Sequence, residues 1–262
     1  MRDLIKSLPI ILQLRKLKYD RKFKNNRYAN LFRGVYDSFE QAASHIPQTF
    51  SQGYDNKASA AMYKQWMGTI RLSDYPVLFW LDKVIDRCHC LYDLGGHIGF
   101  LFYSYAKLIN FHPGFIWRVY DVPAVVAEGK TVAIQEKRDN IFFTSDHESM
   151  ADADILLASG SLQYIEQDLV DILKASPSSQ LRHLFVNMTP MHPEKEFFTV
   201  NSIGTSFCPY KISSKQIFLD SMQKANWRLV DEWINAEKSC PIPFQEISSQ
   251  IHYYGFYFTK SE

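Results

Sequence analysis

Asp93, Gly95, Gly96, His97 and Gly99 fall within the seven residues Asp93-Leu94-Gly95-Gly96-His97-Ile98-Gly99. A carboxylate followed at once by a glycine-dense turn can hold a small charged molecule against the main chain. Glycine lets the backbone turn sharply and lets a ligand come close to it. The apolar run Leu91-Tyr92 leads into the turn, and the helix-like stretch Phe100-Leu101-Phe102-Tyr103-Ser104-Tyr105-Ala106 leaves it. Strand, glycine turn and helix form the first unit of a nucleotide-binding α/β sheet. A dinucleotide site needs Gly-x-Gly-x-x-Gly, so that a pyrophosphate rests on the helix N-terminus. Glycines at 95, 96 and 99 break that pattern at His97, and Asp93 would repel a pyrophosphate. The arrangement suits a ligand that carries positive charge and no phosphate. A plain tight strand-to-helix connection is the alternative.

Other polar residues fall where strands should end. Asp121 closes the run Ile116-Trp117-Arg118-Val119-Tyr120-Asp121, 28 positions after Asp93, about one strand-helix-strand step. An acid at the tip of a second strand can accept hydrogen bonds from both hydroxyls of a ribose. It could instead cap the following helix. Ser159, Gly160, Ser161 and Tyr164 follow Asp154-Ile155-Leu156-Leu157-Ala158. The C-terminal ends of strands line the ligand crevice in open α/β sheets, so these four should border it. Tyr164 could also pack beneath the next helix. His192 comes just after His183-Leu184-Phe185-Val186-Asn187-Met188 and Thr189-Pro190. Its imidazole titrates near neutrality, which makes His192 the preferred general base, with Tyr164 and His97 next in line. The plain alternative for a lone loop histidine is a bystander.

The segment from Asp93 to Gly99 resembles motif I of the class I S-adenosylmethionine-dependent methyltransferases. It is similar to the Asp-x-Gly-Gly-Gly-x-Gly form of small-molecule O-methyltransferases and departs from it at His97. Asp121-Val122-Pro123-Ala124-Val125 looks like the Asp-Leu-Pro-x-Val segment of the same enzymes. The resemblance implies S-adenosylmethionine as cofactor, bound by Asp93, Gly95, Gly96, His97, Gly99 and Asp121. It places Ser145 and Asp146, after the third strand, at the adenine amino group. Asp146 is favoured there because an acceptor is needed, and it could equally cap the next turn. Ser159, Gly160 and Ser161 would border the methionine end or the acceptor, and His97 would contact the cofactor's carboxylate.

The order of Phe32-Arg33-Gly34-Val35-Tyr36, Phe39-Glu40-Gln41-Ala42, Gly53-Tyr54-Asp55, the glycine turn, Thr189-Pro190 and Cys208-Pro209-Tyr210 narrows the resemblance. It is similar to a largely uncharacterised bacterial methyltransferase family often encoded among surface-polysaccharide genes. That implies O-methylation of a small polar acceptor such as a sugar or sugar nucleotide. A non-catalytic scaffold with the same fold, or another nucleotide-dependent α/β enzyme, are the alternatives. The implied fold is α/β: a Rossmann-like seven-stranded methyltransferase sheet, mostly parallel, behind an N-terminal helical extension. The last strand runs antiparallel between the fifth and sixth.

The pattern of elements agrees with such a sheet. Strands are expected at 90–94, 116–121, 140–144, 154–159, 183–188, 227–234 and 251–259. Ser213 with Gln216 forms a capping box for the helix before the sixth strand, and Asn226 stands at that helix's end. Residues 34–56 look like a loop with a short helix, and 57–87 like a helical cap. The chain divides into 1–87, a basic helix and cap, and 88–262, the cofactor-binding domain.

With 262 residues the chain can bury a sizeable core, and a net charge of +1 gives no hint of a nucleic-acid partner. The charge is uneven. Arg2, Lys6, Arg15, Lys16, Lys18, Arg21, Lys22, Lys24, Arg27 and Arg33 face only Asp3 and Asp20. Residues 8–24 read as an amphipathic helix capped by Ser7, with Ile10, Leu14 and Leu17 on one face. It could dock on its own domain, or contact a membrane surface or protein partner through residues 1–33. Leu8-Pro9-Ile10-Ile11-Leu12 is too short to span a bilayer and lacks a cleavage site, so a cytoplasmic protein is expected, with the inner membrane face as the peripheral site. Cys88, Cys90, Cys208 and Cys240 lack metal-ligand spacing; free thiols and no metal are expected.

Overall fold

The computed structural model describes residues 9–25, 29–48 and 52–261. Its centre is a parallel sheet of short apolar strands. β2 is Cys90–Leu94, β3 Ile116–Tyr120, β4 Ile141–Thr144, β5 Ile155–Ser159 and β6 His183–His192. They pair in the order β4-β3-β2-β5-β6. β2 is buried at every position, as a central strand covered on both faces must be. The late strands β9, Trp227–Ile234, and β10, His252–Lys260, complete this sheet. β10 pairs antiparallel with both β6 and β9, so the last strand lies between the fifth and sixth of the seven. That is the expected seven-stranded order.

Helices cover both faces. α1 is Pro9–Lys24, α2 Phe39–Ser44, α3 Lys57–Ala61, α4 Tyr75–Val84, α5 Phe100–Tyr105, α6 Pro123–Gln135, α7 Leu169–Ala175 and α8 Lys215–Lys224. α5 is buried at all six positions, the condition of a helix apolar all round. It packs with α4 and α6 against one face of β2, while Leu169, Ile172 and Met222 cover the other. The cap of α8 lies one residue later than expected. Ser214, not Ser213, accepts the Ile217 N–H at 3.2 Å. Asn226 does stand at the helix end in a left-handed conformation, φ 62°.

A second, antiparallel sheet has no counterpart among the expected strands. β1, Ala29–Tyr36, pairs with β7, Phe197–Ile203, and β7 with β8, Phe207–Ser214. β8 joins the far end of β6 through Met191–Ser213 and His192–Ser214. The reading of 34–56 as loop and short helix holds for α2, whereas 34–36 belong to β1. β1 hides from pattern reading because Asn30 and Gly34 have positive φ and its register shifts twice, which breaks the two-residue alternation. β7 hides because all seven of its positions are buried.

α1 docks on this sheet. Tyr19 donates to the Phe32 carbonyl at 2.7 Å, and the buried Phe23 ring lies 5.0 Å from that of Phe207. The stripe of Ile10, Leu14 and Leu17 faces outward. The expected cap at Ser7 lies outside the described residues. Among the described residues no helix is long and apolar enough to cross a membrane.

Candidate functional site

The glycine turn joins β2 to α5 at the C-terminal edge of the parallel sheet. Gly95 has φ +70°, and a Cβ there would stand 2.5 Å from the Ser161 Cβ. At Gly96 a Cβ would stand 2.3 Å from the Asp93 Cγ. Neither position has room for a side chain. The turn is tied to β3: Gly95 N–H donates to the Tyr120 carbonyl at 2.8 Å, and His97 N–H to Asp121 Oδ2 at 2.9 Å. Gly99 enters α5 with φ +74°.

Asp93 is fully buried. Its Oδ2 accepts from the Trp117 Nε1–H at 3.0 Å, and its Oδ1 has no partner. Burial pushes its carboxyl up to about 7, the Trp117 bond opposes this, and the charge of Asp121 adds to it. Asp121 accepts the N–H groups of His97 and Val122, one on each oxygen. Burial raises it to about 6 against those two bonds. Two raised carboxyls side by side are stabilised in the ionised form by a cation.

His97 holds a left-handed backbone, φ 56°. Its Nε2 lies 3.0 Å from the Ser59 carbonyl. A carbonyl only accepts, so Nε2 carries the proton and Nδ1 presents its lone pair. Nδ1 is buried and has no partner. Burial lowers this imidazole to about 4, so it is neutral at physiological pH.

Around this centre lie the other expected residues. Ser145, exposed, donates to the Asp121 carbonyl at 2.9 Å. Asp146, also exposed, caps the next turn, its Oδ1 accepting the Glu148 N–H at 3.0 Å. Ser159 ends β5 and accepts from Asn187 Nδ2 at 3.4 Å. Gly160 N–H donates to the Asn187 carbonyl at 2.8 Å. Ser161 lies against Gly95, and both its Oγ and the Gln163 Oε1 are buried without partners. Asp93, His97, Ser161 and Gln163 therefore bring four orphaned polar atoms to adjoining strand ends. Buried polar groups normally find partners, so this concentration makes the strand ends the candidate ligand site.

His192 is not beside the turn. β6 does not stop at Met188 but continues to His192, and Asn187 is the residue level with the end of β5. Five further residues at about 3.3 Å each carry His192 about 16 Å along the strand. There its Nδ1 accepts the N–H groups of Glu194 and Lys195 at 3.1 and 3.0 Å, closing a turn. Tyr164 is half-buried, its hydroxyl donates to Asn201 Oδ1 at 3.1 Å, and burial raises that hydroxyl well above the usual 10.

Asn187 takes the place expected for His192. Its Nδ2 donates to the Ser73 carbonyl, and its Oδ1 accepts from Trp233 and Asn235. It locks the ends of β5, β6 and β9 together. The only signal for it in the sequence is a polar residue inside an apolar strand.

A row of tyrosines borders the crevice. Tyr63 packs on His97 with ring centroids 4.4 Å apart and stacks on Phe100 at 5.0 Å. Tyr54 meets Tyr63 and lies 5.0 Å from Tyr164. Tyr164 lies 5.1 Å from Tyr210, whose hydroxyl is 2.7 Å from that of Tyr253. These residues come from distant parts of the chain, so no local spacing announced them.

No protein-family model and no curated protein sequence matches the chain. Solved structures do. One is the O-methyltransferase from a trans-AT PKS multienzyme of Brevibacillus brevis, in complex with S-adenosyl-L-homocysteine: TM-score 0.53, 12% identity, 78% of this chain and 77% of that one. Another is the CcbJ methyltransferase of Streptomyces caelestis: TM-score 0.50, 14% identity, 80% and 98% covered. A third is the N-terminal domain of EvdMO1 in the presence of S-adenosylhomocysteine and D-fucose: TM-score 0.50, 11% identity, 79% and 95% covered. The fold is that of the class I methyltransferases. In this methyltransferase fold, the added sheet of β1, β7 and β8 and the segments bearing Tyr54 and Tyr63 bring the tyrosine row to the strand ends.

Proposed function

We propose that the protein transfers a methyl group from S-adenosylmethionine to an oxygen of a small polar acceptor, a sugar or sugar derivative. The observation that carries this is the cluster of orphaned polar atoms at the glycine turn, on a sheet with the methyltransferase strand order. Among the similar structures, one is an O-methyltransferase and one was studied with D-fucose, which supports the acceptor class. S-adenosylmethionine, when bound, supplies an electrophilic methyl on a positively charged sulfur. The chain's residues fit it. Asp93 offers Oδ1 toward positive charge, the glycines leave the main chain open, and Asp121 has lone pairs left for the ribose hydroxyls. Ser145 and Asp146, exposed just beyond β4, would meet the adenine edge. His97 Nδ1 is the free base that takes the proton of the acceptor hydroxyl. Tyr63, Tyr54 and Tyr164 wall the space where that hydroxyl must be aligned and kept from water.

Binding of S-adenosylhomocysteine tests the reading. A ligand that binds only the folded state stabilises it by about 2.7 kcal/mol at a hundredfold excess over its Kd. The melting temperature should rise accordingly. An unchanged melting curve at millimolar ligand would sink the proposal.

The affinity should also depend on pH. Asp93 and Asp121, raised to about 7 and about 6, must ionise to do their work. Unfolded carboxyls ionise near 4. The free protein therefore loses stability as pH rises from about 4 to about 7. Ligand affinity moves the other way and levels off above about 7. One group at about 7 is mostly protonated at pH 6 and mostly ionised at pH 8, an expected gain of about tenfold. Titration calorimetry at the two pH values checks it; equal affinities mean the carboxyls do not take part.

A further inference from the structure

α1 has two apolar faces, and the fold covers one of them. Tyr19 and Phe23 turn inward, onto Phe32 and Phe207 of the antiparallel sheet. Ile10, Leu14 and Leu17 lie on the other side, because Tyr19 stands two residues beyond Leu17, about 200° round the helix. Their exposures are 74%, 60% and 52%. Single exposed apolar side chains are ordinary on a protein surface. Three in one stripe, spaced four and then three residues apart, are not scattered. The same spacing carries the stripe on to Arg21 and Lys24, both exposed, and the exposed Lys18 follows Leu14 by one turn. The outer face is therefore apolar in its first half and basic in its second.

The charge of this helix is one-sided. α1 carries Arg15, Lys16, Lys18, Arg21, Lys22 and Lys24 against Asp20 alone. Asp20 lies 3.8 Å from Arg33 of β1, so its charge is already matched. Arg15 and Lys16 lean back toward the body of the protein, each 5.8 Å from the centre of the Phe244 ring. Lys18, Arg21 and Lys24 stay with the outer stripe. An apolar strip edged by cations fits a surface that is negative at its face and apolar beneath. A bilayer containing anionic lipid is such a surface. A helix lying on it sinks its apolar side chains about 5–10 Å into the headgroup boundary, while lysine and arginine meet the negative headgroups. A stable protein interface draws on about 20–30 residues from each side, far more than three apolar side chains supply.

We propose that the outer face of α1 seats the protein on an anionic lipid surface, with Ile10, Leu14 and Leu17 among the headgroups and Lys18, Arg21 and Lys24 on their phosphates. Tyr19 and Phe23 fasten the helix to the domain, so the domain is carried with it. The 16 residues of α1 run about 24 Å, long enough to lie along the surface and too charged to enter the core. The inference does not depend on the methyl-transfer reading.

The test uses the full chain and two kinds of vesicle, phosphatidylcholine alone and phosphatidylcholine mixed equally with phosphatidylserine. The protein should co-sediment with the mixed vesicles at low salt, leave them at high salt, and ignore the neutral ones. Two double variants divide the contributions. Leu14→Glu with Leu17→Glu removes the apolar strip, and Arg21→Glu with Lys24→Glu reverses the basic end. Each should weaken binding to the mixed vesicles by about tenfold or more. Both should melt as wild type does, because the altered side chains are exposed and Tyr19 and Phe23 still hold the helix. No sedimentation with the mixed vesicles, equal sedimentation with both kinds, or a double variant that sediments as wild type does would each overturn the proposal. So would a dimer in lipid-free solution that Leu14→Glu with Leu17→Glu breaks, since the stripe would then be an interface between two copies of the chain.

Discussion

Gly95→Val should lose S-adenosylhomocysteine binding by more than about a hundredfold, and Gly96→Ala should come close to it. At Gly95 two effects combine. Its φ of +70° is one that a β-branched residue rarely adopts, and the new Cβ would sit 2.5 Å from the Ser161 Cβ. At Gly96 the obstacle is the Asp93 carboxyl, 2.3 Å from the added atom. Asp93 cannot swing away, since it is fully buried and held by Trp117. Forcing extra atoms into such a site costs about 1–3 kcal/mol by overpacking and displaces the groups that should meet the ligand. Gly114→Ala is the control. It has φ +89° and nothing within 4 Å of the added Cβ. It therefore carries the strain of a left-handed alanine, about 1–2 kcal/mol, without the collision. It should melt lower yet bind as wild type does. Calorimetry on folded protein separates the cases; a Gly96→Ala variant with wild-type affinity would show that no ligand approaches the turn.

The same turn shows how far the sequence could be read. Asp93, the glycines and Asp121 were legible because a βαβ unit is local: strand, turn, helix and strand follow one another, and the sheet pairs neighbours. The seven central strands were legible for the same reason. What could not be read was non-local. The tyrosine row is assembled from residues 54, 63, 164, 210 and 253 by the packing of segments far apart in sequence. Thr189-Pro190 looked like the end of a strand. In the structure Met188 adopts φ 55° and the register with β10 shifts between Tyr254 and Phe256, so a bulge absorbs the irregularity and β6 goes on. One such residue was enough to carry His192 to the far end of a longer β6.

That displacement decides the last expected result. His97→Gln should lower turnover by about a hundredfold or more, whereas His192→Ala should leave it near wild type. A positioned general base contributes about 10²–10⁴ to a rate. Glutamine can still donate to the Ser59 carbonyl in place of the imidazole Nε2–H, but it has no basic nitrogen, so cofactor affinity should change little while turnover falls. His192 has its Nδ1 committed to two main-chain N–H groups and lies far along β6. Losing it should lower stability rather than rate. The pH profile makes the assignment independent of the variants. Had His192 been the base, turnover would rise through its own titration, which burial lowers from the ordinary imidazole value. His97, lowered to about 4, is already neutral at pH 5, so turnover at saturating cofactor should be flat from about pH 5 upward. The rise between 6 and 7 should appear only in kcat/KM for the cofactor, where Asp93 and Asp121 must ionise before the ligand binds. A rising limb in saturated turnover that vanishes in His192→Ala would return the base to His192.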